Sequence, residues 1–275
     1  MTDLIERYYD LSSANEWARL ERYRTEYAIT LRALKDHLPP PPAHLLDCGG
    51  GPGRYAIELT KLGYAVTLFD LSQINLSLAR THAHMANVSL AGYEHGTASD
   101  LSRFAGEAFD AVLLLGPLYH LLTAGEREAA LREVYRVVKP GGVVAAAFIT
   151  RYAFLRYLLK ERPEDLHGRA SAIDAFHQTG ILPTPLTSDG EFRAYLIPPA
   201  EVRPLIESAG FIVRTVLGVE GLSTLIDDKL NALQGEAWEA WVDLNYRAAA
   251  DPALHGASDH LLCVAEKRKD YEQLA

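Results

Sequence analysis

A chain of 275 residues, 48% hydrophobic and 23% charged, has the size and composition of a globular protein that buries a core without staples. Its net charge of −9 argues against a nucleic-acid footprint, and the basic tract KRKD near the C-terminus is too short to supply one. The longest apolar stretches, such as residues 143–149, fall far short of the roughly 20 residues a membrane span needs.

Residues 3–37 place Leu4, Tyr8, Trp17, Leu20, Tyr23, Tyr27, Leu31 and Leu34 among charges at helical spacing, and the run Pro39–Pro42 ends that helical segment. The opening residues carry no secretory pattern. Both cysteines, Cys48 and Cys263, lie in apolar runs that read as buried strands, so a reducing cytoplasm is expected. From His44 short β-like runs alternate with helix-like ones: LLDC, 55–62, AVTLF, 73–84, VSLAGYEH, FDAVLLL, 127–138 and VVAAAFI. That rhythm predicts βαβ units and a parallel sheet with helices on both faces.

After Thr150 the rhythm breaks. Residues 151–200 carry Pro163, Pro183, Pro185, Pro198 and Pro199 with scattered aromatics, and are expected to form an irregular inserted cap. A helix near 200–209, the strand FIVRTVLGV, a helical stretch at about 227–250 and the strand DHLLCVAEK complete the chain. The expected divisions are a helical lid over 1–42, a ligand-binding core over 43–150, the cap over 151–200 and completion of the core sheet by 201–275.

The loop after LLDC reads Gly49, Gly50, Gly51, Pro52, Gly53, Arg54. No register satisfies the dinucleotide spacing G-x-G-x-x-G, and no Gly-Lys-Ser/Thr opens the helix as in a phosphate-binding loop. Asp47, just before the loop, would repel a pyrophosphate and favour a cationic ligand. Asp70 follows 19 residues beyond Gly51 at the end of the next apolar run, where a carboxylate can accept from ribose hydroxyls. S-adenosylmethionine carries an ammonium and a sulfonium but no phosphate, and so suits both.

On the segments LLDCGGGPG, VTLFDLS, GTASDLS, FDAVLLLGPLYHL and LREVYRVVKPGGVV the sequence resembles the class I S-adenosylmethionine-dependent methyltransferases, of the domain type 11 or 25 kind. The resemblance implies a Rossmann-like α/β fold: seven strands, mostly parallel, the last antiparallel. It also implies that Asp47, Gly49, Gly50, Gly51 and Gly53 hold the methionine portion of the cofactor. Asp70 with Leu71 would then take the ribose, Asp100 with Leu101 the adenine, and Gly116 the loop beside the methyl group. Thr97 stands where relatives often carry Asp.

The loop GPLYHL, after a fully apolar strand, should line the reaction centre. His120 is the first choice if a base is needed, because its ordinary pKa lies near 6.5. Tyr119 either faces the sulfonium or orients the acceptor. Tyr8 or Tyr9 either closes over the methionine end or packs between helices, and the cap aromatics Tyr152, Phe154, Tyr157, Phe176, Phe192 and Tyr195 either line an acceptor pocket or form the cap's own core. The ten histidines show no metal-ligand spacing, so no metal is expected.

The expected activity is methyl transfer to a small-molecule acceptor, with oxygen, nitrogen, sulfur and carbon all open as nucleophile. Rival expectations are a methyltransferase for a carboxyl on a modified tRNA uridine, a nicotinamide-dependent oxidoreductase, and a non-catalytic cofactor-binding module. Arg54 in place of a third glycine and Asp47 beside the loop weigh against the oxidoreductase.

Overall fold

Period-two burial along the apolar strands decides how the chain layers itself. The computed structural model describes residues 2–182 and 192–269; Pro183 and Pro185 of the expected cap, and Asp270 of the basic tract, lie outside these. Seven strands, β1 (His44–Cys48), β2 (Ala65–Asp70), β3 (Gly92–His95), β4 (Phe109–Leu114), β5 (Val138–Ile149), β6 (Phe211–Gly218) and β7 (His260–Lys267), form one sheet in the order β3-β2-β1-β4-β5-β7-β6. Strands β1 to β5 pair in parallel, and β7 inserts antiparallel between β5 and β6 as the resemblance implies.

The helices are α1 (Thr2–Arg22), α2 (Arg24–His37), α3 (Arg54–Lys61), α4 (Gln73–Met85), α5 (Pro117–His120), α6 (Ala124–Val137), α7 (Arg151–Glu161), α8 (Asp165–Gly168), α9 (Ala170–Thr179), α10 (Pro199–Ser208), α11 (Asp227–Asn231), α12 (Gly235–Ala248) and α13 (Pro252–His255). Leu46, Val112, Leu114, Val144 and Ala146 face one side, packing on Leu131 and Val134 of α6 and Val202 and Ile206 of α10. Their neighbours Leu45, Ala111, Leu113, Val143 and Ala145 face the other, against α2, α3, α4 and α12 through Ile29, Leu34, Ala56, Leu59, Leu76, Trp238 and Val242. Each fully buried Leu or Val contributes roughly 1.5–3 kcal/mol by leaving water, so both faces of the central strands drive association of the layers.

Two local expectations are revised. The N-terminal helical segment is broken at Tyr23 (φ −105°, ψ 58°) into α1 and α2. Across the break the Arg19 guanidinium donates to both carboxylate oxygens of Glu26 at 2.6 and 2.8 Å. Residues 151–182 are largely helical rather than irregular, because Phe154, Leu158 and Phe176 lie on helix faces that gather with Leu182, Ala194 and Leu196 into a separate small core. Pro163 only separates α7 from α8, and Gly180 (φ +71°) ends α9. The density of prolines concealed that helical period.

Behind α2, Glu220 is fully enclosed and accepts from Ser258 Oγ (2.6 Å), the His260 backbone N–H (2.8 Å) and His260 Nδ1 (2.5 Å). Burial alone would lower the His260 pKa, but the Glu26 and Glu220 carboxylates push it up to about 9. The stability His260 adds is fully present below its unfolded pKa of about 6.5 and is lost as pH rises through about 9. Urea denaturation should therefore show a stability loss between pH 7 and 9.5 that His260→Gln largely lacks. At pH 7 that variant should be less stable by about 3–5 kcal/mol, since it strands Glu220 without a cation.

Candidate cofactor and acceptor site

The strand order reverses between β1 and β4, and the crevice at the carboxyl ends of such strands is where an open α/β sheet takes its ligand. A cavity of about 380 Å³ lies there, walled by the β1–α3 turn, the ends of β2 and β4, the segment 96–99 and α1. The turn leaves β1 through Gly49, whose N–H donates to the Phe69 carbonyl at 2.7 Å, and enters α3 at Gly53 with positive φ. At Gly50 a Cβ would stand 2.2 Å from Leu68 Cδ1 and 2.5 Å from Asp47 Oδ2, so a larger residue would have to displace the Leu68 side chain and the carboxylate beneath.

Asp70 organises the opposite side. One carboxylate oxygen accepts from the Gly51 N–H at 2.8 Å, and the other accepts from the Ser72 N–H at 2.8 Å and the Asn75 amide at 3.2 Å. A carboxylate offers about four lone-pair directions, which leaves acceptor capacity toward the cavity. Asp47 has no such set of partners: it is 1% exposed, and neither oxygen makes a hydrogen bond of good geometry. Burial first, then the Asp70 charge, push its pKa up to about 7, with the Ala56 backbone N–H acting in the opposite direction.

The roof is α1. Helical spacing puts Ile5, Tyr9, Glu16, Arg19 and Leu20 on its cavity side. The helix is fastened by Ser72 Oγ donating to Asp10 (2.5 Å), by Trp17 stacked on His82 (3.6 Å between centroids) and by Arg54 donating to the Trp17 carbonyl (3.0 Å). Tyr9 Oη donates to His120 Nε2 at 2.6 Å, while His120 Nδ1 donates to the Arg193 carbonyl at 2.7 Å. Because a carbonyl only accepts, this pair of bonds selects the neutral tautomer protonated at Nδ1. Burial lowers the His120 pKa to about 4.

Of the residues singled out from sequence, Tyr9, Asp47, Gly49, Gly50, Gly51, Asp70, Leu71, Gly116, Tyr119 and His120 come together around the cavity. Gly53 does not; it lies under the turn against Ala79. Asp100 and Leu101 do not line the cavity either. The Asp100 N–H turns back to the Thr97 carbonyl, its carboxylate takes the Ser102 N–H, and Leu101 is wholly buried in the core with its N–H on Glu133. Gly96, Thr97, Ala98 and Ser99 occupy that wall instead. Sequence reasoning also missed Ile5, Glu16, Arg19, Tyr55 and Asn75. The signal for Glu16 was its seven-residue offset from Tyr9, two helical turns along one face.

Glu26, Glu220 and His260 bring ligand-type atoms within 4.8 Å of one another. Arg19 already occupies both Glu26 oxygens and His260 keeps a proton at neutral pH, so the cluster balances its own charge.

A family model described as a methyltransferase domain matches residues 46–146. The chain is 36% identical over 107 residues to the ubiquinone biosynthesis O-methyltransferase of Caulobacter vibrioides, covering 39% of this chain and 41% of that protein, so the match spans about two fifths of that relative. It is 30% identical over 186 residues to the protein of that name from Agrobacterium fabrum, covering 59% of this chain and 72% of the other. A solved S-adenosylmethionine-dependent methyltransferase from Methanosarcina mazei shares the fold at TM-score 0.59 and 20% identity, over 86% of this chain and 98% of that one. The chain belongs to the class I S-adenosylmethionine-dependent methyltransferases.

The residues present fit that family's cofactor. A buried carboxylate without a hydrogen bond of good geometry, beside a glycine-built turn, suits a cation such as the methionine ammonium. Binding of S-adenosylhomocysteine, which keeps the ammonium, should therefore ionise Asp47. Calorimetry in buffers of different ionisation heat should show proton release below about pH 7 that fades above it, with affinity rising as pH climbs through that value. Asp47→Asn should abolish the proton release and weaken binding by about 10–100-fold.

Proposed function

We propose that the protein transfers a methyl group from S-adenosylmethionine to a hydroxyl of a small-molecule acceptor in the cytoplasm. The observation that carries this reading is the closed roof: α1 lies across the crevice and joins the loop after β4 through Tyr9 and His120, which leaves a cavity sized for small ligands rather than an open groove for a polymer. The relatives' names, O-methyltransferases of ubiquinone biosynthesis, favour oxygen as the nucleophile. The acidic balance of the chain and the roof both weigh against RNA.

In this proposal Asp47 and the turn through Gly49, Gly50 and Gly51 hold the methionine portion, with Gly53 supporting that turn from below. Asp70 and Leu71 hold the ribose, and Gly96 to Ser99 hold the adenine in place of Asp100 and Leu101. When bound, the cofactor supplies a methyl group on a sulfonium, a reaction that asks the protein chiefly for alignment. Residues 1–42 serve as a lid and residues 151–200 as a cap. Gly116 and Tyr119 face the acceptor. His120, neutral and with both nitrogens engaged, closes the lid onto the cap through Tyr9 and Arg193.

The direct test is incubation with methyl-labelled S-adenosylmethionine and either a metabolite extract or total tRNA. Label should appear among small organic-soluble products and not on RNA; the reverse distribution would refute the proposal. A second outcome concerns the latch. Tyr9→Phe should raise the dissociation constant of S-adenosylhomocysteine about 3–10-fold by calorimetry, the effect of one lost hydrogen bond. Because His120 stays neutral down to about pH 4, His120→Gln should slow turnover while leaving the shape of the pH–rate profile between 6 and 8 unchanged.

A further inference from the structure

Glu16 stands apart from the other charges of the cavity. Its side chain retains 24% exposure and opens into the cavity from the α1 side. Among the described residues its one ion pair is to Arg19 Nε at 3.6 Å, too long for a hydrogen bond. Arg19 is committed elsewhere, because its guanidinium grips Glu26 with two bonds, and Glu26 in turn leans on His260 at 4.0 Å. Arg19 and Arg22 still favour the charged form of Glu16, while burial and the Glu26 and Asp70 carboxylates oppose it. Glu16 remains a carboxylate with accepting capacity, and it lines the cavity together with the rings of Tyr9, Tyr119 and His120.

We infer that Glu16 is the proton acceptor for a hydroxylated aromatic substrate: its carboxylate takes the hydrogen bond of a ring hydroxyl lying among these aromatics, and then the proton. In that step the acceptor O–H bond breaks, its electron pair stays on the oxygen as the nucleophilic lone pair, and the proton joins a Glu16 carboxylate oxygen, so a neutral hydroxyl and a carboxylate become an oxyanion and a neutral acid. The aromatic walls supply ring contact while His120 cannot compete for the proton, since its Nε2 already accepts from Tyr9. Burial also raises the Glu16 pKa, moving it toward the range in which a carboxylate serves as a base near neutral pH. This inference rests on the proposal of methyl transfer to a small-molecule hydroxyl.

The test uses the full chain saturated with S-adenosylhomocysteine and catechol as probe. Calorimetry first establishes S-adenosylhomocysteine binding; its failure in the wild type would sink the cofactor reading itself, separately from the role of Glu16. Catechol should then bind the wild-type complex, and Glu16→Gln should weaken that binding by at least 10-fold, as expected for loss of a charge-assisted hydrogen bond. The S-adenosylhomocysteine affinity and the thermal midpoint should stay unchanged, and Glu16→Asp should recover part of the loss. If catechol is methylated, kcat in Glu16→Gln should fall about 10²–10⁴-fold, and the acidic limb of the wild-type pH profile should disappear. Equal catechol affinity in the two proteins, no catechol binding to a complex that does hold S-adenosylhomocysteine, or a loss confined to S-adenosylhomocysteine would each overturn the assignment.

Discussion

The carboxylate of Asp47, sealed under a glycine turn without a hydrogen bond of good geometry, is the constraint around which the site is built. Asp47 is held there because β1, an interior strand between β2 and β4, is buried on both faces. The turn above it is tight enough that a side chain at Gly50 would collide with both Asp47 and Leu68. An unpaired buried charge is tolerated only when the group neutralises itself or meets a cation. Burial pushes the Asp47 pKa up to about 7, the first of these routes.

Asp70 uses the same kind of group to a different end. Its oxygens accept from the backbone N–H groups of Gly51 and Ser72, so it ties the glycine turn to the start of α4. Ser72 in turn binds Asp10 on the roof helix. Floor and roof of the cavity are thus connected through three consecutive hydrogen bonds around one carboxylate, and the position of α1 is coupled to the geometry of the turn. A second set of charges, Arg19 with Glu26 and His260 with Glu220, braces the junction of α1 and α2 from behind. Buried pairs of this kind contribute little net stability, but they resist any repacking that would separate them.

Much of this was readable from the chain. Apolar runs of the right length, the spacing of Asp47, the glycines and Asp70, and the run of acidic and apolar residues around them specify the sheet and the cofactor side, because these features act over a single βαβ unit. What escaped depends on direction or on distance. Asp100 and Leu101 sit at the right place in sequence, yet a turn at Thr97 points them away from the cavity. The engagement of His120 requires Tyr9, 111 residues earlier, and Arg193, 73 residues later, and no local pattern announces either partner. Helices in residues 151–182 were hidden by the proline-rich reading of the whole stretch, although Pro163, the one proline in 151–182, lies between α7 and α8.

The insertion of β7 between β5 and β6 also sets the order in which the molecule can be assembled. Strand β5 pairs with β4 on one side, but its other edge meets a neighbour only when residues 260–267 arrive, more than a hundred residues later along the chain. During synthesis, β5 therefore presents a row of unpaired backbone groups at the edge of a nearly complete sheet, and β6 has no strand to join. The half of the protein that binds the cofactor can form on the ribosome well before its outer strands are sealed. This late closure makes the C-terminal strand the step most exposed to mispairing with another copy.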